Sequence, residues 1–191
     1  MVVNVVLVRH GETDGNRKKI LQVPQLGLNA NGHNQAEKLA KRLQRQFQIG
    51  RIIASNLQRT VDTANAISAR CGVKVEPYDV LQERSFGDLR GQSIVELSKN
   101  NEINVFSEAF SPPNGESIPV FQQRVARAWE FIVKAAETIP AGRVLVVVTH
   151  GLVLDQITRK YLNYPQACCK HHKIIPFKNT SIVTLHNVNS H

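Results

Sequence analysis

The sequence predicts an α/β fold, a three-layer α/β/α sandwich around a mostly parallel central sheet. Two runs carry the prediction: Val2-Val3-Asn4-Val5-Val6-Leu7-Val8 near the start and Val144-Leu145-Val146-Val147-Val148 near the end, both β-branched and almost uncharged. Continuous apolar strands of this kind are buried on both faces, as parallel strands are when helices cover the sheet. Between the two runs, segments with apolar residues at helical spacing alternate with shorter apolar runs. At 191 residues and 42% hydrophobic content, the chain suits one domain, residues 1–191, with a sizeable core.

The first strand stops abruptly in Arg9-His10-Gly11-Glu12-Thr13-Asp14-Gly15-Asn16. Carboxyl ends of parallel strands form the crevice where ligands bind, so Arg9 and His10 are expected at its floor. Arg17-Lys18-Lys19-Ile20-Leu21-Gln22 and the turn-rich passage through Pro24, Gly27 and Gly32 read as a surface loop over that end. The basic triplet suits a solvated charge run and an attractor for a polyanionic substrate equally well. Ala36, Leu39, Ala40, Leu43 and Phe47 predict a helix over about 32–47, with Lys38, Lys41, Arg42 and Arg45 off the apolar stripe.

Arg51-Ile52-Ile53-Ala54-Ser55 is the second strand, passing into a helix that runs to about residue 70. The free N–H groups at such a helix start can seat a phosphate, and Arg59 in its first turn adds a planar fork. A short strand at Val73-Lys74-Val75-Glu76 precedes the loop Leu81-Gln82-Glu83-Arg84-Ser85-Phe86-Gly87-Asp88-Leu89-Arg90-Gly91. A short helix is expected at 93–98, an irregular stretch at 100–115, and the longest helix at about 120–139 with Ser117 as its cap. Phe121, Val125, Ala128, Trp129, Ile132, Val133 and Ala136 form that helix's apolar stripe, with Trp129 assigned to the core. Pro140-Ala141-Gly142 breaks it, and the second valine run ends in Thr149-His150-Gly151. A helix at about 152–162, a surface loop at Lys170-His171-His172-Lys173 and a closing strand in Asn179-Thr180-Ser181-Ile182-Val183-Thr184-Leu185 complete the chain.

The opening run has no basic residue before it and no small-residue cleavage site, so it is not expected to be a signal peptide. No segment approaches the roughly 20 apolar residues of a membrane span, and a soluble, cytoplasmic protein is expected. Cys71 and the adjacent Cys168-Cys169 make an odd count without metal-ligand spacing, which suits reduced thiols. With 24 Lys and Arg against 15 Asp and Glu, the formal net charge is +9 and anionic partners are favoured. Nucleic acid is not the expected one, because little aromatic surface accompanies the basic helix. Nothing in the sequence indicates an oligomeric state.

Several stretches, in order, resemble the histidine phosphatase superfamily: Arg9-His10-Gly11-Glu12-Thr13 after the first strand; Leu28-Asn29-Ala30-Asn31-Gly32-His33-Asn34-Gln35-Ala36, with Asn29 replacing the usual Thr; and Ser55-x-Leu57-x-Arg59-x-x-x-Thr63-Ala64. The Glu83 loop, Pro113-Asn114-Gly115-Glu116-Ser117, Thr149-His150-Gly151 and the closing Asn-x-Ser strand continue the pattern. Leu89-Arg90 stands where many bacterial relatives have Trp-Glu. The resemblance implies a phosphoglycerate mutase-like fold and a mechanism in which neutral His10 attacks phosphorus to form a phosphohistidine while Glu83 donates the proton to the leaving alkoxide. It makes His150 the second catalytic histidine. Arg9, Arg59, Asn16, His150 and Gly151 are then expected around the phosphoryl oxygens, with Arg84 and Arg90 as further binding residues. No metal or cofactor is expected.

Family members include cofactor-dependent phosphoglycerate mutases, fructose-2,6-bisphosphatases and broad-specificity phosphatases. A mutase must shield its phosphohistidine from water, and this chain is short and lacks the expected cover. The reading is therefore hydrolysis of small phosphate esters, either sugar phosphates and bisphosphates such as fructose 2,6-bisphosphate, or a broader range. Two alternatives stand beside it: a cofactor-dependent phosphoglycerate mutase, and a non-catalytic basic module binding other macromolecules, nucleic acid among them.

Overall fold

A computed structural model describes residues 3–100, 103–162, 175–186 and 188. The strands β1 (Val3–Arg9), β2 (Ile49–Ser55), β3 (Val75–Tyr78), β4 (Val144–Thr149) and β5 (Ile182–His186) form one sheet in the order β3-β2-β4-β1-β5. All neighbours are parallel except β5, which runs antiparallel to β1 at one edge. The helices are α1 (Asp14–Lys18), α2 (Ala30–Gln46), α3 (Gln58–Cys71), α4 (Ile94–Asn100), α5 (Ile118–Glu137) and α6 (Gly151–Tyr161). The fold is the α/β class the two valine runs predict.

Alternation along the strands builds the layers. Val5 and Leu7 of β1 with Leu145 and Val147 of β4 enter one buried cluster, shared with Phe121, Val125, Ala128 and Ile132 of α5 and Leu154 and Ile157 of α6. Val6 and Val8 with Val144, Val146 and Val148 face the other way, onto Leu39, Ala40 and Leu43 of α2 and Ala64 and Ile67 of α3. Each such side chain contributes about 1.5–3 kcal/mol on burial. Because both faces are covered, the strands have no polar side, which explains their unbroken valine pattern. Trp129 is half-buried against the first cluster and stacks on Tyr161 at 5.0 Å, in accord with its core assignment.

Element ends follow the expected caps with small shifts. Asn29 accepts from the Gly32 N–H at 2.8 Å, so Asn does the capping work of the usual Thr and α2 begins two residues early. Ser117 caps α5 through the Val120 N–H. The third strand lies two residues later than expected. One element was not foreseen: α1 sits inside the stretch read as loop, held by a capping box between Thr13 and Asn16. Gly32 permits a close backbone crossing, since a Cβ there would fall 2.0 Å from the Glu12 carbonyl oxygen. That contact seats the loop after β1 on the first turn of α2.

A third, smaller cluster of Leu21, Phe86, Leu97 and Val105 lies outside the sheet. It joins the Glu83 loop to the segment before α5. The Cys168-Cys169 pair and the Lys170–Lys173 tract lie outside the described residues.

Candidate active site

β1 and β4 are neighbours in register, Arg9 opposite Thr149, so the residues that follow each strand emerge side by side. The His10 N–H donates to the Thr149 carbonyl at 3.1 Å. The two imidazoles meet edge to face, with ring centroids 5.2 Å apart. β2 flanks β4 on its other side and delivers Ser55, whose hydroxyl lies 2.9 Å from His150 Nε2, and then Arg59 in the first turn of α3. The sheet order thus gathers residues 9, 10, 59 and 150 from three adjacent strand ends.

His10 is almost wholly buried yet lines a cavity of about 660 Å³. Its Nδ1 lies 2.7 Å from the Gly11 carbonyl oxygen. A carbonyl only accepts, so Nδ1 carries the proton and Nε2 keeps the lone pair. Burial, and then Arg59 and Arg9, hold the His10 pKa well below its ordinary value. Thr63 and Asn179 fix the loop around it, the first accepting from the Gly11 N–H at 3.0 Å, the second donating to the His10 carbonyl at 3.0 Å.

Arg9 and Arg59 supply positive charge on the cavity wall. Burial lowers both pKa values, that of Arg59 to about 10, against the favourable influence of Glu83. Arg9 donates to the Phe177 carbonyl and Arg59 to the Val23 carbonyl at 3.4 Å. Their Nε atoms, and Nδ1 of the fully buried His150, lack partners among the described residues. Unsatisfied buried polar atoms cost roughly 1–3 kcal/mol each, and three of them gather around this one nucleophile. Burial, followed by Arg59, also keeps His150 neutral.

Glu83 faces the cavity from the loop after β3. Its two oxygens accept from the backbone N–H groups of Arg84 and Leu152 at 3.1 Å each, the latter in the first turn of α6. Burial nonetheless raises its pKa, with those two N–H groups and Arg59 opposing. Thr149 ties this loop to the sheet by donating to the Leu81 carbonyl at 2.8 Å.

Among the other expected residues, Asn16, Gly151 and Arg90 line the cavity. The Asn16 carboxamide oxygen accepts from the Thr13 N–H and from Asn179, which leaves its amide N–H groups for a ligand. Arg90 is exposed, donates to Ser85 Oγ at 3.0 Å, and has no acidic partner among the described residues. Of the basic triplet only Lys19 lines the cavity; Arg17 pairs with Asp14 at the surface.

Arg84 also lines the cavity, and its buried guanidinium donates to the carbonyls of Glu116, Val105 and Phe110, so it fastens the Glu83 loop to the segment before α5. The free N–H groups expected at the start of α3 are also partly taken: Gln58 N–H donates to Pro24 and Leu57 N–H to Ser55 Oγ. At this point the Arg59 side chain lines the cavity. Sequence reasoning missed Arg124, which carries the Glu83 loop from α5. Its signal was a lone charge on the apolar stripe, three residues after Phe121 and four before Ala128. Among the described residues, no group of three or more His, Cys, Asp or Glu side chains is placed to hold a metal ion, and no helix is long and apolar enough to cross a membrane.

The family model of the histidine phosphatase superfamily (branch 1) matches residues 5–190. The phosphoglycerate mutase-like protein 4 of Arabidopsis thaliana is 32% identical over 186 residues, 93% of this chain and 76% of its own. Among solved structures, the mycobacterial glucosyl-3-phosphoglycerate phosphatase superposes with a TM-score of 0.71 at 26% identity, over 86% of this chain and 82% of that one. A phosphoglycerate mutase from Thermus thermophilus gives 0.68 at 29% identity, over 97% and 94%.

Proposed function

From the premise that this chain belongs to the histidine phosphatase superfamily, we propose that it hydrolyses phosphate monoesters through a phosphohistidine on His10. The observation that carries the reading is one cavity lined by His10, its Nδ1 held by the Gly11 carbonyl, together with Arg9, Arg59 and Glu83, while His150, whose Nδ1 is unpartnered among the described residues, packs edge-on against His10. The Ser55 hydroxyl can donate to His150 Nε2, which leaves the proton on Nδ1 and makes that orphan a donor.

In the first step Nε2 of His10 attacks phosphorus in line. The N–P bond forms, the bond from phosphorus to the ester oxygen breaks, and protonated Glu83 gives its proton to the departing alkoxide. Arg9, Arg59, His150 and the Asn16 amide hold the phosphoryl oxygens as their charge shifts, so the protein's main contribution is donors fixed in advance of the reaction. In the second step the Glu83 carboxylate takes a proton from water while that water's oxygen attacks phosphorus. The N–P bond breaks and inorganic phosphate leaves. The Arg9 guanidinium lies over the start of α6, with Nε 3.6 Å from where a Cβ of Gly151 would stand, an ordinary van der Waals contact.

The test is phosphate release from a panel of sugar phosphates and bisphosphates, fructose 2,6-bisphosphate included, with rapid quenching of labelled substrate. An acid-labile, alkali-stable phosphoenzyme that disappears in His10→Ala supports the reading. Release by that variant at the native rate sinks it. A second reading, phosphoglycerate mutase, draws on the Thermus thermophilus structure. It predicts isomerisation of phosphoglycerate outrunning release to water.

A further inference from the structure

Beyond the phosphoryl end, the cavity changes character. Its wall is formed by Leu21, Leu57, Phe86, Ile94, Phe106 and Leu152, from six different segments of the chain. Leu57, Ile94, Phe106 and Leu152 are only half-buried, so their apolar surface faces the open space. Of the neutral amides nearby, Gln82 donates to Asn56 Oδ1 at 2.6 Å, while Gln22 and Asn104 accept through their oxygens from the Thr13 hydroxyl at 2.9 Å and the Phe106 N–H at 3.1 Å.

This wall is fixed in place. Residues 19–21 and 91–94 form a short ladder, with Ile94 N–H donating to the Lys19 carbonyl, Leu21 N–H to Gln92, and Gly91 N–H to Leu21. Arg84 grips the carbonyls of Val105 and Phe110 on either side of Phe106, and the Phe106 ring stands edge-on to Phe86 at 6.4 Å. A volume of about 660 Å³ equals that of on the order of 20 water molecules, several times what a phosphoryl group needs. A polyol laid along these six apolar side chains would set hydroxyls against carbon, out of contact with the Lys19 and Arg90 charges elsewhere on the lining.

We propose that the cavity is built for phosphate monoesters whose alcohol portion is extended and apolar. The proposal rests on the hydrolase reading for its chemistry, but the wall can be probed without turnover. Primary alkyl phosphates from ethyl to hexyl share nearly one leaving-group basicity, so kcat/KM along the series reports burial rather than bond breaking. Each methylene is expected to raise it by about two- to fourfold, the upper figure being full burial of one CH₂. Hexyl phosphate is expected to exceed hexitol 1-phosphate, the same carbon skeleton with hydroxyls, by at least about tenfold. The matching alkyl phosphonates, which cannot be hydrolysed, should tighten in Kd along the same slope, measured by calorimetry. Phe106→Ala and Leu57→Ala should each flatten the slope, a ratio within one protein that tolerates a change in active fraction.

A flat series, or hexitol 1-phosphate matching hexyl phosphate, overturns the proposal while leaving hydrolysis intact. Phosphonate affinities that climb with chain length when no ester releases phosphate uphold the wall and overturn the hydrolase reading.

Discussion

Replacing Arg124 with alanine is expected to cost about 3 kcal/mol of folding stability and to slow the chemistry of the molecules that remain folded. Arg124 reaches from α5 beneath the Glu83 loop. Its Nε and Nη2 donate to the two carboxylate oxygens of Glu116 at 2.7 and 2.8 Å. Nη1 donates to the carbonyls of Val80 and Gln82 at 3.1 and 2.7 Å, and Nη2 also to that of Glu83 at 3.1 Å. The two side chains are only 14% and 17% exposed. Removing one partner of a buried pair costs about 3–5 kcal/mol, and their residual access to water places this pair at the low end. Burial pushes the Glu116 pKa up, but Arg124 and the Ser85 N–H hold it below its ordinary value; with Arg124 gone, Ser85 is its remaining donor.

The catalytic effect follows from the Glu83 carbonyl. A proton donor displaced by about 1 Å loses on the order of 10²-fold in rate. KM should change little, because Arg9 and Arg59 remain. Urea unfolding gives the first number; kcat, KM and the pH profile of the folded variant give the second. Arg124→Lys keeps the charge without the fork and should recover less than half of either loss. A stability loss below about 1 kcal/mol, or a full loss with kcat and the pH profile unchanged, would refute the view of Arg124 as a positioning residue for Glu83.

Glu83→Gln should lower kcat for alkyl esters by about 10²–10⁴-fold and far less for p-nitrophenyl phosphate, whose leaving group needs no proton; equal losses on both would remove Glu83 from the acid role. Because burial raises Glu83 and lowers His10, the productive pair of protonated acid and neutral nucleophile persists between their two pKa values. The native enzyme's kcat/KM should fall above the first and below the second, and Glu83→Gln should lose only the alkaline limb. Stability should also depend on pH. His10 and His150 are held neutral in the fold but take up protons near 6.5 when unfolded, so stability is fully present above that pH and lost as pH falls below it. Each contributes a slope of up to about 1.4 kcal/mol per pH unit. Glu83 works in the opposite sense, its raised native pKa favouring the folded state as pH falls, so Glu83→Gln should steepen the net slope; a flat urea-unfolding profile from pH 7 to 5 would contradict both.

The fold was legible because its strongest signals are periodic and local. Val5 to Val8 and Val144 to Val148 could only be strands covered on both faces, and they are the adjacent inner strands β1 and β4. His10, Arg59, Glu83 and His150 were legible for a related reason: each follows a strand end, and the sheet order alone brings those ends together. Short elements were harder. The five-residue α1 has no apolar stripe to announce it, only the Thr13 and Asn16 pair.

What the sequence could not separate was a donor awaiting a ligand from one already satisfied. Arg84 and Arg90 sit in one loop, six residues apart, and are chemically identical. Arg84 is enclosed by carbonyls from residues 105, 110 and 116, more than twenty positions downstream, which hold its guanidinium in the cavity wall. Arg90 met only the Ser85 hydroxyl and stays exposed on the cavity, where its charge depresses the pKa of Arg59. The same distinction picks out the phosphoryl site. Arg9 and Arg59 each spend one N–H on a backbone carbonyl, which fixes the guanidinium, and both line the cavity. Fixing a donor without satisfying it is what preorganisation requires, because the fold meets the cost of orientation before substrate arrives. Function at this site is therefore carried by the bonds its arginines do not make, and those are set by contacts among strand ends, loops and α5 that no single stretch of sequence contains.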